Sequence, residues 1–417
     1  MKARIMLLST ALSGGGAEQV TRSLAENLPG SVCVVFENNQ GIIPTDYRLH
    51  TLPCRQYYKR SARLVFNIFR LACIQWLKLR YRPDITISHL EGPNFANLLT
   101  LKGGERVIVV HNSIKKNYCQ DGEAIDRLKT GLVRSLYSRA DQVVVVAPDI
   151  SAELSNDYGV DQKRIRYIPN PVDVAWIKKQ SVKSFGDWRD DLLKLPFLIN
   201  VASLTKQKNH ELLIRCFHAL SDDYPDLRLF LLGKGGQEEA IRSLCTDLGL
   251  IIFEQAAANE NINARVFLLG FQANPYPFIA NSKIFLLPSL WEGLPISMLE
   301  AMSLRKPLIV SDCSPTIRQT LLSGGSATVD NVLVPKEGIM GRCGCLMRLF
   351  KKPADPDTIT TWTQATRALL DNPTLIRQCE NNATTLSKEY DIANTLRYWR
   401  ELVTQLTGKE VAVCEHA

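Results

Sequence analysis

No stretch of this chain approaches the roughly 20 consecutive apolar residues that a membrane-crossing helix needs, which excludes a transmembrane helix. The opening MKARIMLLSTALSGGGAEQ sets Lys2 and Arg4 before an apolar stretch and small residues after it. That stretch is short and runs straight into glycines and a helical pattern, so it reads as a first buried strand rather than a cleaved leader. Cysteines in framework or zinc spacing are also lacking. The 11 cysteines lie scattered from Cys33 to Cys414, an odd number whose one close pair is Cys343 and Cys345. A disulfide scaffold and a zinc module are thereby excluded, and free thiols in a reducing cytosol are expected. There is no G-x-G-x-x-G, which argues against a dehydrogenase built on a dinucleotide cofactor, and no P-loop or H-E-x-x-H. Internal repeats and low-complexity tracts are absent.

Acid is missing from one long segment. Between Arg55 and Arg82 there are eight basic residues (Arg55, Lys59, Arg60, Arg63, Arg70, Lys78, Arg80 and Arg82) and no Asp or Glu. Leu64, Val65, Phe66, Ile68, Phe69, Leu71, Ile74, Trp76 and Leu77 lie among them. A basic helix with a broad apolar face suits an anionic membrane surface, with Lys59, Arg60 and Arg63 as headgroup contacts. The same pattern also suits an amphipathic helix packed on its own core with a solvated basic rim, and the two can hold together. The overall charge of +8 is mild, and no nucleic-acid partner is expected.

With 417 residues, 45% hydrophobic and 22% charged, the chain has the size and composition of two soluble globular domains. Short apolar runs alternate with helical stretches, the pattern of a doubly wound parallel sheet. Strands are expected at 4–8, 32–36, 85–88, 107–111, 143–147 and 166–168, and then at 198–202, 229–232, 266–269, 284–287 and 308–310. The expected division is an N-terminal Rossmann-like domain at 1–175, a linker rich in proline and charge at 176–195, and a second Rossmann-like domain at 196–385. The segment 386–417 holds a closing amphipathic helix near 390–406, expected to return to the first domain. Ligands of open α/β sheets bind at the carboxyl ends of the strands, so a central cleft between the two sheets is the expected site.

The most informative run is PSLWEGLPISMLEAMSLRKPLIVSD, at 288–312. An apolar strand leads into a short Gly293-Leu294-Pro295 turn, and Pro295 suits the first position of a helix. The free N–H groups of that helix end favour an anion. Glu292 then sits in the loop beside the anion, and Glu300 lies roughly 7.5 Å along the helix from Pro295 at about 1.5 Å per residue. One carboxylate near a reacting end and another near more distant hydroxyls suit a ligand that is part phosphate and part sugar. Taken singly, either Glu reads as ordinary helix-terminal sequence; as a spaced pair in this frame they read as functional.

This run resembles the E-x7-E motif of the retaining GT-B glycosyltransferases of family 4. Other segments join the resemblance. Gly14, Gly15 and Gly16, with Glu18, match the family's GGxE loop, whose amides approach the donor's diphosphate and the acceptor. His111, closing RVIVVH, falls on the sugar-contacting histidine; NVASLTKQKN matches the segment that supplies the phosphate-binding lysine, here Lys208. Ser203 stands where the family carries arginine, and Lys206 is the nearby cation that could replace it. LLGKGG at 231–236, the run 267–289 and IPNPVD with Asn170 also resemble family segments.

The resemblance implies a GT-B fold of two facing Rossmann-like domains and a retaining hexosyltransferase without cofactor or metal. It implies His111, Glu292 and Lys208 as catalytic residues. Gly15, Gly16, Ser203, Lys206, Lys208, Gly293, Leu294, Pro295 and Glu300 become the donor site. The expected partners are a nucleotide sugar, UDP-linked for preference, and a lipid-linked or cell-surface glycan acceptor. The resemblance further implies a cytoplasmic protein, peripheral on the inner face of the membrane. Asp355-Pro356-Asp357, a D-x-D, reads as a helix cap rather than a metal site. A nucleotide-sugar epimerase of the same fold and a non-catalytic glycan-binding relative are the alternatives.

Overall fold

The computed structural model describes residues 2–12, 15–37, 47–52, 63–118, 123–253, 263–322, 338–349 and 355–412. The chain divides into two compact units, Met1–Pro171 with Ile392–Ala417, and Val172–Asp391. The first begins with β1 (Ile5–Ser9), α1 (Gly16–Asn27), β2 (Val32–Val35), β3 (Arg48–Thr51) and α2 (Arg63–Tyr81). It continues through β4 (Ile85–His89), α3 (Glu91–Leu99), β5 (Glu105–Val110), α4 (Ile114–Tyr118) and α5 (Glu123–Tyr137). Then come β6 (Gln142–Val145), α6 (Pro148–Tyr158) and β7 (Ile165–Tyr167).

Seven strands pair in parallel in the order β3-β2-β1-β4-β5-β6-β7. β1, β2, β4 and β6 are buried at every position, because helices cover both faces of a parallel sheet; this is why they read as continuous apolar runs. The strand order reverses between β1 and β4, and such a reversal leaves a crevice at the strand ends.

The second unit opens with α7 (Val174–Ser181) and α8 (Trp188–Leu192), followed by β8 (Phe197–Val201), α9 (His210–Leu220), β9 (Arg228–Leu232) and α10 (Glu238–Asp247). β10 (Ile252–Phe253), β11 (Val266–Gly270), α11 (Tyr276–Asn281), β12 (Ile284–Leu287), α12 (Ile296–Ser303) and β13 (Leu308–Ser311) follow. The unit ends with α13 (Pro315–Leu322), β14 (Gly338–Gly341), β15 (Gly344–Met347), α14 (Pro356–Leu370) and α15 (Pro373–Ser387). Its sheet runs β10-β11-β9-β8-β12-β13-β15-β14, parallel except for the β14–β15 hairpin, and reverses between β8 and β12. Two Rossmann-like parallel sheets are thus present, as the patterning implied.

Several details differ from the sequence reading. β3, β10, β14 and β15 were not expected: β3 is the polar edge strand RLHT, β10 has two residues, and the hairpin is glycine-rich, so none carries an apolar run. Residues 176–195 are not a bare connection; α7 and α8 form there, and Trp176 packs edge-on against Tyr276 at 5.4 Å. Pro295 caps α12 from outside instead of starting it, because its extended ψ of 122° turns its carbonyl toward the N–H groups of Met298 and Leu299. Asp355 caps α14, accepting from the Thr358 N–H at 2.8 Å. The described cysteines are free, and burial pushes the Cys345 thiol up to about 12.

The closing helix α16 (Ile392–Thr407) belongs to the first unit. Trp399 is fully buried there, and Arg166 bonds Glu401 and Gln405. Trp399→Ala should cost about 3–5 kcal/mol of that unit's stability through the cavity it leaves, read from chemical denaturation.

Candidate functional site

In the second unit the reversal of strand order brings together the loops that follow β8 and β12. The first carries Ser203, Lys206 and Lys208; the second carries Ser289, Glu292 and Gly293-Leu294-Pro295. The loop after β9 braces the first. A Cβ on Gly233 would lie 1.9 Å from the Ala202 carbonyl oxygen, and one on Gly235 would lie 2.3 Å from that of Leu204, so only glycine allows this approach. The Leu204 N–H donates to the Lys234 carbonyl at 3.0 Å across the same junction.

Gln207 joins the two loops. Its carbonyl accepts from the Leu290 N–H at 2.8 Å, and its side-chain amide donates to the Trp291 carbonyl at 2.6 Å and to Glu292 Oε2 at 3.4 Å. Lys208 Nζ forms a close ion pair with Glu292 Oε1, which also accepts from the Ser289 hydroxyl at 2.7 Å. The two charged side chains are 15% and 5% exposed, so the pair is largely withdrawn from water and each charge depends on the other. Ser203 and Lys206 are exposed. Gln207 and Ser289 escaped the sequence reading, although each sits within three residues of a chosen charge.

Glu300 lies mid-way along α12, fully buried, and accepts from the Tyr276 hydroxyl at 2.8 Å. Burial raises its carboxyl to about 7, while the Tyr276 hydroxyl works in the opposite direction. Near neutrality this group is poised between its two charge states. The spacing that joined them in the sequence places them in different environments.

The reversal in the first unit sets the loops after β1, β4 and β5 beside one another. Gly14 lies outside the described residues. Gly15 caps α1, but its N–H already donates to Glu18 Oε2 at 2.9 Å, so that amide is answered by the helix's own carboxylate. Burial raises the Glu18 carboxyl, with the Gly15 amide opposing. His111 follows β5 and is buried, with Nε2 at 3.1 Å from Nδ1 of His89. Burial pushes His111 down to about 4 and His89 well below its ordinary value, so both rings are neutral at pH 7. The residue after His89, Leu90, holds φ 71° and ψ 159°, a conformation costing of order 1–3 kcal/mol outside glycine.

In the basic segment, α2 packs on the first unit's core through Ile74 and Leu77 with Arg80 exposed, as one of the two sequence readings expected. Lys59 and Arg60 lie outside the described residues, as does the Arg63 side chain. Within α2 two basic residues point inward. Arg70 stacks on Phe36 and Phe66 at 4.5 and 5.1 Å. Lys78 is buried and donates to the Asn97 carbonyl, Asn97 Oδ1 and Thr100 Oγ1 at 3.2, 2.9 and 2.8 Å. The exposed face is instead apolar: Val65, Ile68, Phe69, Trp76 and Leu79 are 52–69% exposed and fall on one side of the helix. Among the described residues no helix is long and apolar enough to cross a membrane.

Residues 188–331 match the family model described as Glycosyl transferases group 1, and residues 14–176 match the model described as Glycosyltransferase Family 4. An uncharacterized glycosyltransferase of Methanocaldococcus jannaschii is 25% identical over 338 residues, 78% of this chain and 80% of that protein. The N-acetylgalactosamine-N,N'-diacetylbacillosaminyl-diphospho-undecaprenol 4-alpha-N-acetylgalactosaminyltransferase of Campylobacter jejuni is 25% identical over 321 residues, 72% of this chain and 79% of its own length. Over 37% of this chain and 38% of that protein, the UDP-Gal:alpha-D-GlcNAc-diphosphoundecaprenol alpha-1,3-galactosyltransferase of Escherichia coli is 31% identical. The crystal structure of Anabaena HepE in complex with UDP and glucose superposes with a TM-score of 0.68 at 15% identity, over 97% of this chain and 100% of that one. Sucrose-phosphate synthase from Thermosynechococcus elongatus gives 0.71 at 15% identity, over 97% and 99%. At these identities the structural likeness speaks for the fold.

Glu300 sets a pH dependence of stability. Because its folded value lies above the 4.5 of an ordinary Glu, the native state holds a proton that the unfolded chain releases between pH 4.5 and about 7. Its contribution is complete below 4.5 and lost as pH rises through about 7, a difference of about 3 kcal/mol. Glu300→Gln should remove this decline, giving a flatter profile of melting temperature against pH; an unchanged profile counts against a neutral Glu300 at low pH.

Proposed function

This chain belongs to glycosyltransferase family 4 and carries the GT-B fold, and from that premise we propose that it moves a hexose or N-acetylhexosamine from a UDP-sugar to a lipid-linked or cell-surface glycan acceptor, with retention at the anomeric carbon and without a metal. The observation that carries this reading is the meeting of Lys208 and Glu292 at the strand reversal of the second unit. A diphosphate competes with Glu292 for the Lys208 ammonium. Once that exchange is made, the carboxylate is free to accept hydrogen bonds from sugar hydroxyls. Lys208 then offsets the charge growing on the departing diphosphate. Lys206, exposed on the same turn, is assigned the second positive charge where Ser203 replaces the family's arginine.

The backbone of Gly293, Leu294 and Pro295 leads the donor to the N-terminus of α12, whose dipole favours the phosphates. Glu300 is assigned the ribose hydroxyls, trading its bond from Tyr276 for one from the ligand. In the first unit His111 offers a neutral imidazole to a sugar hydroxyl. Glu18 at the end of α1 disfavours an anion there, so Gly15 and Gly16 suit an acceptor hydroxyl better than a diphosphate. In the transfer the acceptor oxygen bonds to the anomeric carbon as the bond to the phosphate oxygen breaks. UDP leaves with the electron pair and takes up the acceptor proton.

A lipid-linked acceptor is supported by two curated relatives whose names specify diphospho-undecaprenol substrates. It is also supported by the apolar face of α2, inside a segment without acidic residues. We assign that face to an anionic membrane, with the protein peripheral on the cytoplasmic leaflet.

The decisive experiment incubates labelled UDP-sugars with and without a diphospholipid-linked acceptor. Sugar should pass to the lipid, and Glu292→Gln should lower kcat by about 10²-fold or more with the fold retained. Conversion of the UDP-sugar to an epimer without acceptor would overturn the reading in favour of an epimerase. Separately, the Phe69→Glu/Trp76→Glu double variant should leave anionic vesicles that hold the wild type, at an unchanged melting temperature because both side chains are already exposed. Equal binding by the two proteins removes α2 from the membrane contact.

A further inference from the structure

Glu292 is held from two loops at once. Its own loop, after β12, supplies the buried Ser289 hydroxyl, which donates to Oε1 at 2.7 Å. The loop after β8 reaches the carboxylate with two neighbouring residues: the Lys208 ammonium pairs with Oε1, and the Gln207 amide donates to Oε2 at 3.4 Å. Both sit on the turn Lys206–Lys208, which Asn209 ends in the left-handed region at φ 50°. Among the described residues no other side chain bonds this carboxylate, and it is 5% exposed.

The three donors are unequal. Lys208 is charged and close. Gln207 is neutral and lies at the long end of hydrogen-bond distances. Its amide has two N–H donors; one is committed to the Trp291 carbonyl at 2.6 Å, and the other is aimed at Oε2. Turning the amide over would set its oxygen against the Trp291 carbonyl, so its sense is fixed. The Gln207 carbonyl also accepts from the Leu290 N–H at 2.8 Å, a backbone bond that tethers the loops whatever side chain stands at 207. Taking Lys208 away leaves a carboxylate withdrawn from water with neutral donors alone. An unanswered oxygen there costs more than the same bond contributes while the ion pair stands.

We propose that Gln207 and Ser289 are positioning residues: one neutral donor on each oxygen holds the Glu292 carboxylate in place while Lys208 passes from it to a diphosphate. Their bonds strengthen as the cation leaves, so they lower the free energy that the handover requires. Glu292 then stays where a sugar can meet it. That the diphosphate belongs to a nucleotide sugar rests on the function proposed above; the handover does not, since inorganic pyrophosphate suffices to claim the ammonium.

The test is calorimetric binding of pyrophosphate and of UDP to the full chain, in two backgrounds. Lys208→Met should weaken pyrophosphate by about tenfold or more, marking the ammonium as its contact. With Glu292 present, Gln207→Met and Ser289→Ala should each weaken it about fivefold. In the Glu292→Gln protein, where no charge is handed over, the same two changes should alter it within about twofold. Any loosening of the loop through the lost Trp291 bond is common to both backgrounds and cancels. Equal losses in both backgrounds give the two side chains a merely structural role and overturn the proposal. Unchanged affinity in the single variants, or in Lys208→Met, overturns it too. The expectation holds for each variant separately, so where a melting curve shows that one fails to fold, the other still decides. Pyrophosphate bound in this pattern without UDP would sink the UDP-sugar reading alone, whereas a wild type that binds neither sinks the handover.

Discussion

Each sheet reverses its strand order near its centre, between β1 and β4 and between β8 and β12, and the groups assigned to chemistry hang from those reversals. Where neighbouring parallel strands are connected in opposite directions, their following loops part and leave strand ends uncovered. The loops after β8 and β12 carry Lys208 and Glu292; those after β1, β4 and β5 carry Gly15, His89 and His111. A chain with the same residues but another strand order would not bring them together.

Burial then sets the charge of each group. Glu292 remains in reach of Lys208, Ser289 and Gln207, so its carboxylate is answered on both oxygens. Glu300 has one neutral partner, Tyr276, inside a helix packed on all sides, and its carboxyl rises to about 7. The histidines are driven to neutrality for the same reason.

Helix α2 shows how far composition can mislead. One of the two readings of its segment puts the basic residues outside and the apolar ones inside, but Arg70 finds two aromatic faces and Lys78 three oxygen acceptors within the first unit. Those inward cations leave Val65, Ile68, Phe69, Trp76 and Leu79 on the open side. Nothing in the local pattern distinguishes the two arrangements, since both have helical period. Apart from Phe66, one turn earlier on the same helix, the partners of Arg70 and Lys78, from Phe36 to Thr100, come from elsewhere in the chain.

By itself the sequence determined the α/β class, most of the central strands and the frame of strand, turn and helix that carries Glu292 and Glu300. Strands buried on both faces must be apolar throughout, and a helix start after a Gly-Leu-Pro turn is written locally. It did not show the polar edge strand β3, the glycine-rich hairpin, or the packing of α7 and α8, because none of these has an apolar run of its own. Nor did it show Gln207 joining two loops, Glu18 answering the Gly15 amide, or His89 against His111. Only the tertiary structure decided those contacts, since each joins groups whose distance in space is set by strand order and burial rather than by their separation along the chain.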